Sequence, residues 1–396
     1  MFEKTVLRRA VDGLPLTQGQ LAEAMLYYQS VHVVFDAGTL LSLIKAIGAD
    51  QLIALLKRGN VTGVYCDEYI GTSTEGSSAT QCHNFIAFNV AGDDYGSALK
   101  TAADRIEFNT RRSEGFSKKE SQQFAKNFLD LVPVRTYSSN YYVKGGIIAT
   151  ATKDLEDKAY IRDAARTVIE TIPGGYSPNA EFSFDLLKSD LGYFVFTNAD
   201  FDRINMARDR MTPRQDNFTP AHVLSSILEA RADLSLASFY GGDFVTSGVI
   251  SSIIRLKHSE ILRRMQLNLQ EKSHFTEIVL PDAPALCEVI DSGERTFEEF
   301  LKLLDHSRRF KDWLHKTNPD VKLAGEYLRD AKKEGWIEGV PAKGIRYMIT
   351  SAIEAALPAA GPIASLADTF LIDKLLKGWR PNHFVDKKLG PFLGKR

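Results

Sequence analysis

The sequence predicts an α/β (or α+β) amino-terminal domain with a mixed sheet, followed by a mainly α-helical carboxyl-terminal domain. Three observations carry this. Val31 to Glu68 reads as strand, helical connection, strand. Short apolar, β-branched and aromatic runs continue as far as Thr197. From Asp216 onward the apolar residues fall at helical spacing over long stretches. The domains are placed at residues 1–215 and 216–396, and a chain of 396 residues has ample length for two cores.

Taken in order, Thr17 to Ser30 reads as a helix. Thr17 and Gln20 fit a capping box, and Leu21, Ala24, Met25 and Tyr28 share one face. Val31 to Phe35 is a buried strand ending at Asp36-Ala37-Gly38. Leu40, Leu41, Leu43, Ile44 and Ile47 follow at helical spacing, Gly48 stops that helix, and Gln51 to Lys57 makes a second. Val61 to Tyr65 is the next strand. A helical crossover makes the two strands parallel, so Asp36 and the Asp67–Glu68 pair fall on one sheet edge. Ile70 to Gln81, rich in Gly, Ser and Thr, reads as a loop. Asn84 to Val90 then returns antiparallel and carries Asp93 and Asp94 to the opposite edge.

Tyr95 to Arg111 and Ser117 to Leu131 read as helices. Arg111, Arg112, Lys118 and Lys119 form a basic elbow between them, read as a solvated turn. Val132 to Tyr137 and Gly146 to Thr152 read as strands, and Leu155 to Ile172 as a helix stopped by Pro173-Gly174-Gly175. Phe182 to Leu187 and Leu191 to Thr197 form a hairpin. In the second half, Thr219-Pro220 starts a helix through Ser238. Val249 to Gln270 and Pro319 to Lys333 are further helices, and Thr296 with Glu299 forms a capping box. Only Phe275 to Leu280 is strand-like there. Val340 to Lys377 reads as a buried αα-hairpin. Its uncharged run, Ala355 to Ala367, is shorter than the ~20 residues a transmembrane helix needs. The tail GWRPNHFVDKKLGPFLGKR interleaves Trp379, His383, Phe384 and Phe392 with Arg380, Lys387, Lys388, Lys395 and Arg396. It reads as an arm strapped to its own domain by its aromatics. The other reading is weak surface contact with anionic lipid, RNA or an acidic partner.

A net charge of −1 argues against a surface built throughout for nucleic acid and leaves room for a local basic patch. The opening MFEKTVLRRAVDGLPL lacks an apolar core of signal-peptide length. Cys66, Cys82 and Cys287 lack CxxC spacing and read as reduced thiols, so a cytoplasmic location is expected. GxxxxGK[ST], GxGxxG after a strand, GxSxG and HExxH are absent, and the eight histidines have no metal spacing. His222 and His258 read as helix-surface or satisfied side chains. Glu156-Asp157-Lys158 has the spacing of a carboxylate–lysine nuclease motif, which charged helices reproduce by chance.

The carboxylates at the strand ends remain. Acidic residues sharing an edge can hold magnesium or manganese, or raise one another's pKa for acid–base work. The competing reading is that each caps the helix that follows. Phe35-Asp36-Ala37-Gly38-Thr39-Leu40-Leu41 resembles the opening of the PIN-domain nucleases, a strand ending in Asp before a Leu-rich helix. Phe196-Thr197-Asn198-Ala199-Asp200-Phe201 is similar to that family's later strand, with the Asp displaced. The resemblance implies a magnesium- or manganese-dependent ribonuclease whose metal and catalytic ligands are Asp36, Glu68 and Asp200. The segment between Glu68 and Leu191 is longer than such a core needs. The leading expectation is a non-catalytic protein that works through contacts with a protein partner, the helical half offering a surface. The PIN-like ribonuclease acting on RNA is the alternative.

Overall fold

The structure, a computed structural model, describes residues 2–9, 16–77, 80–89, 99–141, 145–244, 246–280, 283–317, 322–324, 326–327 and 381–394, with the backbone alone over 259–269 and at 278. The chain divides into two compact units. One comprises Lys4–Thr17 and Val31–Met265, the other Met1–Glu3, Gln18–Ser30 and Gln266–Arg396.

The first unit holds two sheets. Sheet A contains β1 (Lys4–Arg8), β2 (Ser30–Phe35), β3 (Val61–Cys66), β6 (Val134–Arg135) and β9 (Asp243–Phe244), in the order β6-β3-β2-β1-β9. The pairs β2–β3, β3–β6 and β1–β9 are parallel. Sheet B is an antiparallel ladder of β4 (Tyr69–Glu75), β5 (Cys82–Phe88), β7 (Phe184–Ser189) and β8 (Gly192–Thr197), ordered β4-β5-β8-β7. Parallel and antiparallel sheets with helices around them make the α/β fold that the sequence predicts.

The strand–helix–strand reading of residues 31–68 holds. Val31 pairs with Val61 and Phe35 with Tyr65, and the connection is α2 (Ala37–Ile47) and α3 (Ala49–Lys57). Gly48, at φ 86°, is the break between the two helices. Alternation along the strands then fixes the layers. Val34, Val64 and Cys66 face α6 (Gly146–Asp154) and α9 (Pro220–Tyr240), through Ile147, Ala151, Leu228, Ala232 and Leu236. Phe35 and Tyr65 face Phe128 of α5 (Lys118–Leu129), with ring centroids 5.2 and 6.0 Å away. At Gly63 a Cβ would collide with the Phe35 ring, so β3 carries a glycine there. Sheet A is thus covered on both faces, as parallel sheets are.

Sheet B is covered on one face by the described residues. Phe184, Tyr193, Leu186 and Val195 point inward to α7 (Lys158–Thr171), α8 (Phe201–Asp209), α9 and the start of α10 (Gly248–Val279). Helix α9 serves both cores. Val223, Ile227, Ala230 and Ala237 belong to one, and Leu228, Ala232 and Leu236 to the other, so it is buried nearly all round.

Three local expectations are corrected. Residues 70–81 were expected as a loop, yet Tyr69–Glu75 is β4. Its partner β5 supplies the ladder, and Ile70 is fully buried. Gly146 to Thr152 reads as a strand but forms α6, because Ile147 and Ala151 share the buried face at helical spacing. Phe275 to Leu280 reads as strand-like, but the chain is helical through Val279 and buries Phe275. Strand β1 lay in a segment the sequence left unassigned. The β7–β8 hairpin and the Thr296–Glu299 capping box stand where the sequence places them.

The second unit is helical. It contains α1 (Gln18–Tyr27), the end of α10, α11 (Leu286–Asp291), α12 (Phe297–Asp305), α13 (Arg308–Lys316) and a last helical stretch from Pro381 to Phe392. In that stretch Phe384, Val385 and Leu389 are buried while Lys387 and Lys388 are exposed. The Phe384 ring stacks on Phe310 at 4.9 Å, and the Arg295 Nε–H donates to the Phe392 carbonyl at 2.9 Å. The described part of the tail is strapped to its own unit. The hairpin expected over Val340–Lys377, Asp93 and Asp94, most of Pro319–Lys333, and Trp379, Arg380, Lys395 and Arg396 lie outside the described residues. Among the described residues no single helix is long and apolar enough to cross a membrane.

Candidate functional site

The carboxyl edge of sheet A is where a parallel sheet usually places its chemistry. Three acids stand there, and each is engaged locally. Asp36 is the N-cap of α2, accepting the Thr39 N–H at 2.5 Å. The Arg9 guanidinium stands 3.7 Å from its carboxylate and lies over Gly38, leaving no space for a Cβ there. Asp67 is gripped by both arms of Arg105, on α4 (Ala102–Glu114), with Nε at 2.9 Å. Glu68 accepts the Ser138 N–H at 3.0 Å and the Ser138 hydroxyl at 2.7 Å. These bonds tie α2, α4 and the turn after β6 to the sheet. A carboxylate so held is an anchor rather than a free base.

Behind this edge lies a buried polar cluster. Arg8 of β1 reaches Glu229 at 2.6 Å and Asp233 at 2.9 Å, both on α9, and donates to the Tyr137 hydroxyl at 3.3 Å. All three charged side chains are close to fully buried. Burial pushes the Asp233 carboxyl up, and Arg8 pulls it back toward ionisation. Nearby, the Cys66 sulfur sits 3.6 Å from the Tyr141 hydroxyl, itself 3.2 Å from that of Tyr240. The Tyr240 ring stacks on His32 at 3.9 Å, and His32 Nδ1 shares a 2.9 Å hydrogen bond with Thr62. Burial raises the Cys66 thiol to about 11 and lowers His32 to about 4. At neutral pH Cys66 is therefore a thiol and His32 a neutral imidazole with a single N–H. A second ionic cluster joins Asp154 of α6 to Arg231 of α9 at 2.6 Å and to Lys257 of α10 at 3.2 Å. Both clusters fasten α9 to its surroundings.

Asp200 follows β8 on sheet B, apart from the sheet A edge that holds Asp36 and Glu68. It caps α8, accepting the Arg203 N–H at 2.9 Å, and its own N–H donates to the Tyr176 hydroxyl at 2.8 Å. No group of three or more His, Cys, Asp or Glu side chains among the described residues is placed to hold a metal ion. Asp36 and Glu68 stand at the edge of sheet A and Asp200 after β8 of sheet B, each bonded to a local partner. Asp157 of the Glu156-Asp157-Lys158 run is likewise a cap, accepting the Tyr160 N–H at 3.0 Å. His222 turns back on its own helix start, 3.1 Å from the Thr219 N–H that it accepts.

The outer face of sheet B differs in kind. Leu187 and Phe194 are directly opposed there, and Phe196 lies two residues along β8. Leu187 is 57% exposed, Phe196 57% and Leu191, in the connecting turn, 73%. Strand β7 is also the edge of its sheet, with one backbone side unpaired by sheet B. A signal for this was present in the sequence. Leu186-Leu187 and Phe194-Val195-Phe196 are consecutive apolar residues, so they supply both faces of the hairpin. Glu229 and Asp233, one turn apart among the apolar residues Ile227, Leu228, Ala230, Ala232 and Leu234, likewise signalled a buried basic partner. No protein-family model, no curated protein and no solved structure matches this chain.

Proposed function

We propose that this chain works by binding a protein partner on the outer face of the β7–β8 hairpin. One observation carries the reading: Leu187, Leu191 and Phe196 stand more than half exposed on a single hairpin. Contiguous apolar surface of this kind marks contact sites. Each such side chain contributes about 1.5–3 kcal/mol when buried, which suits it to anchor an interface. The edge of β7, which pairs with no further strand among the described residues, offers backbone groups to which an extended partner segment adds as a further strand. The partner is therefore a protein with an apolar surface and an accessible strand.

The test is native co-purification with the tagged full chain. The Leu187→Glu/Phe196→Glu double variant is compared with wild type and with a Lys118→Glu/Lys119→Glu control on the exposed elbow. The reading expects a partner retained by wild type and control and lost from the double variant. The same proteins recovered with all three would contradict it.

A further inference from the structure

A pocket of about 170 Å³ lies on the other side of the same strand. Its strand-borne walls are Phe184, Leu186, Lys188 and Tyr193, all on the inward rows of β7 and β8. Its helical wall is Leu155, Glu156, Lys158 and Ile161, from the α6–α7 turn and the first turns of α7. The floor is apolar: Leu155, Ile161 and Phe184 are buried in the core around sheet B. The rim is charged. Lys158 and Lys188 are both exposed and neither takes part in an ion pair among the described residues. Glu156 is the one acid in the lining, so the two ammonium groups outnumber it.

Tyr193 supplies an independent sign. It is 7% exposed, and its hydroxyl is buried without a hydrogen-bond partner. An unpaired buried hydroxyl is costly and calls for an acceptor. Lys188 and Tyr193 are directly opposed across β7 and β8. Opposed residues on one face start about 4.5–5.5 Å apart at Cβ, so their polar ends can serve one group.

We infer that this pocket binds a small carboxylic acid with an apolar body. The carboxylate sits between Lys158 and Lys188 and accepts the Tyr193 hydroxyl. The alkyl or aryl body rests on Leu155, Ile161 and Leu186. The size of the pocket limits the ligand to a short chain or a single ring. An anion without an apolar body leaves the floor uncovered, and a neutral molecule leaves the lysines unanswered. No covalent step is involved.

The experiment uses hexanoate as the probe on the full chain, with hexanol and acetate as the uncharged and body-less comparisons. Calorimetric titration is expected to give saturable hexanoate binding, with hexanol and acetate each at least roughly tenfold weaker. Lys188→Met and Tyr193→Phe are each expected to weaken hexanoate roughly tenfold, the worth of a charge-assisted hydrogen bond. Tyr193→Phe is expected to do so without lowering the thermal midpoint of the ligand-free chain, since the hydroxyl it removes is unpaired. Reductive methylation gives the location: saturating hexanoate slows the modification of Lys158 and Lys188 and leaves Lys118 and Lys119 unchanged. No saturable hexanoate binding overturns the inference. So does binding unchanged in Lys188→Met, or an unaltered methylation rate at Lys158 and Lys188.

Discussion

Sheets A and B lie in one unit, share α9, and are built from the same kinds of residue. Sheet A is covered on both faces, and the acids at its edge are bonded to an arginine, a serine or a helix start. Sheet B is covered on one face, and its other face carries leucine and phenylalanine more than half exposed. The covered sheet has the polar residues that first suggest chemistry, while sheet B has the exposed apolar side chains. Carboxylates at a strand end are informative only when their local partners are known. Unpartnered apolar area is informative at once, because water exacts a cost for it.

The sharpest way to break this contrast is at the buried ion cluster of sheet A. Arg8→Met leaves Glu229 and Asp233 buried without their cation. Loss of one partner from such a group costs about 3–5 kcal/mol, so urea unfolding is expected at a much lower midpoint. A midpoint equal to wild type would show that the cluster does not hold α9 to β1. Next comes Phe128→Ala, which opens a cavity under Phe35 and Tyr65 and is expected to cost about 3–5 kcal/mol in the same assay.

A pH titration of stability probes sheet A through a single residue. His32, inside sheet A, titrates near 4 when folded and near 6.5 when free. Above 6.5 it is neutral in both states and contributes no slope. As pH falls from 6.5 toward 4, the unfolded chain binds a proton that the folded chain does not. Stability is therefore lost over that window, at up to about 1.4 kcal/mol per pH unit. His32→Gln should flatten that part of the profile; an identical profile would mean that the ring titrates normally. The smallest effect belongs to sheet B. Phe196→Ala is expected to change stability by no more than about 0.5 kcal/mol, as surface substitutions usually do. A loss like that of Phe128→Ala would mean that this face is already packed.

Much of the fold was legible because its signals are local. The Val31–Glu68 unit, the β7–β8 hairpin and the capped starts of α9 and α12 each follow from spacing, a Gly or Pro, or a capping residue. What escaped depends on distant partners. Strand β4 has a Gly- and Thr-rich sequence and becomes a strand because β5 pairs with it. Helix α6 contains Ile147-Ile148 and two threonines, and burial of Ile147 and Ala151 against α9 overrides their β propensity. At the candidate sites the sequence could place Asp36 and Glu68 on one edge. It could not show that Thr39, Arg9 and Ser138 already engage them.

Photocrosslinking reports whether the outer face of sheet B receives a protein. A photoreactive benzoylphenylalanine is placed in turn at positions 187, 196 and 118 of the full chain, and cells are irradiated. One discrete adduct is expected from positions 187 and 196 and none from 118 on the basic elbow. Equal yields from all three positions, or no adduct from 187 and 196, would contradict it.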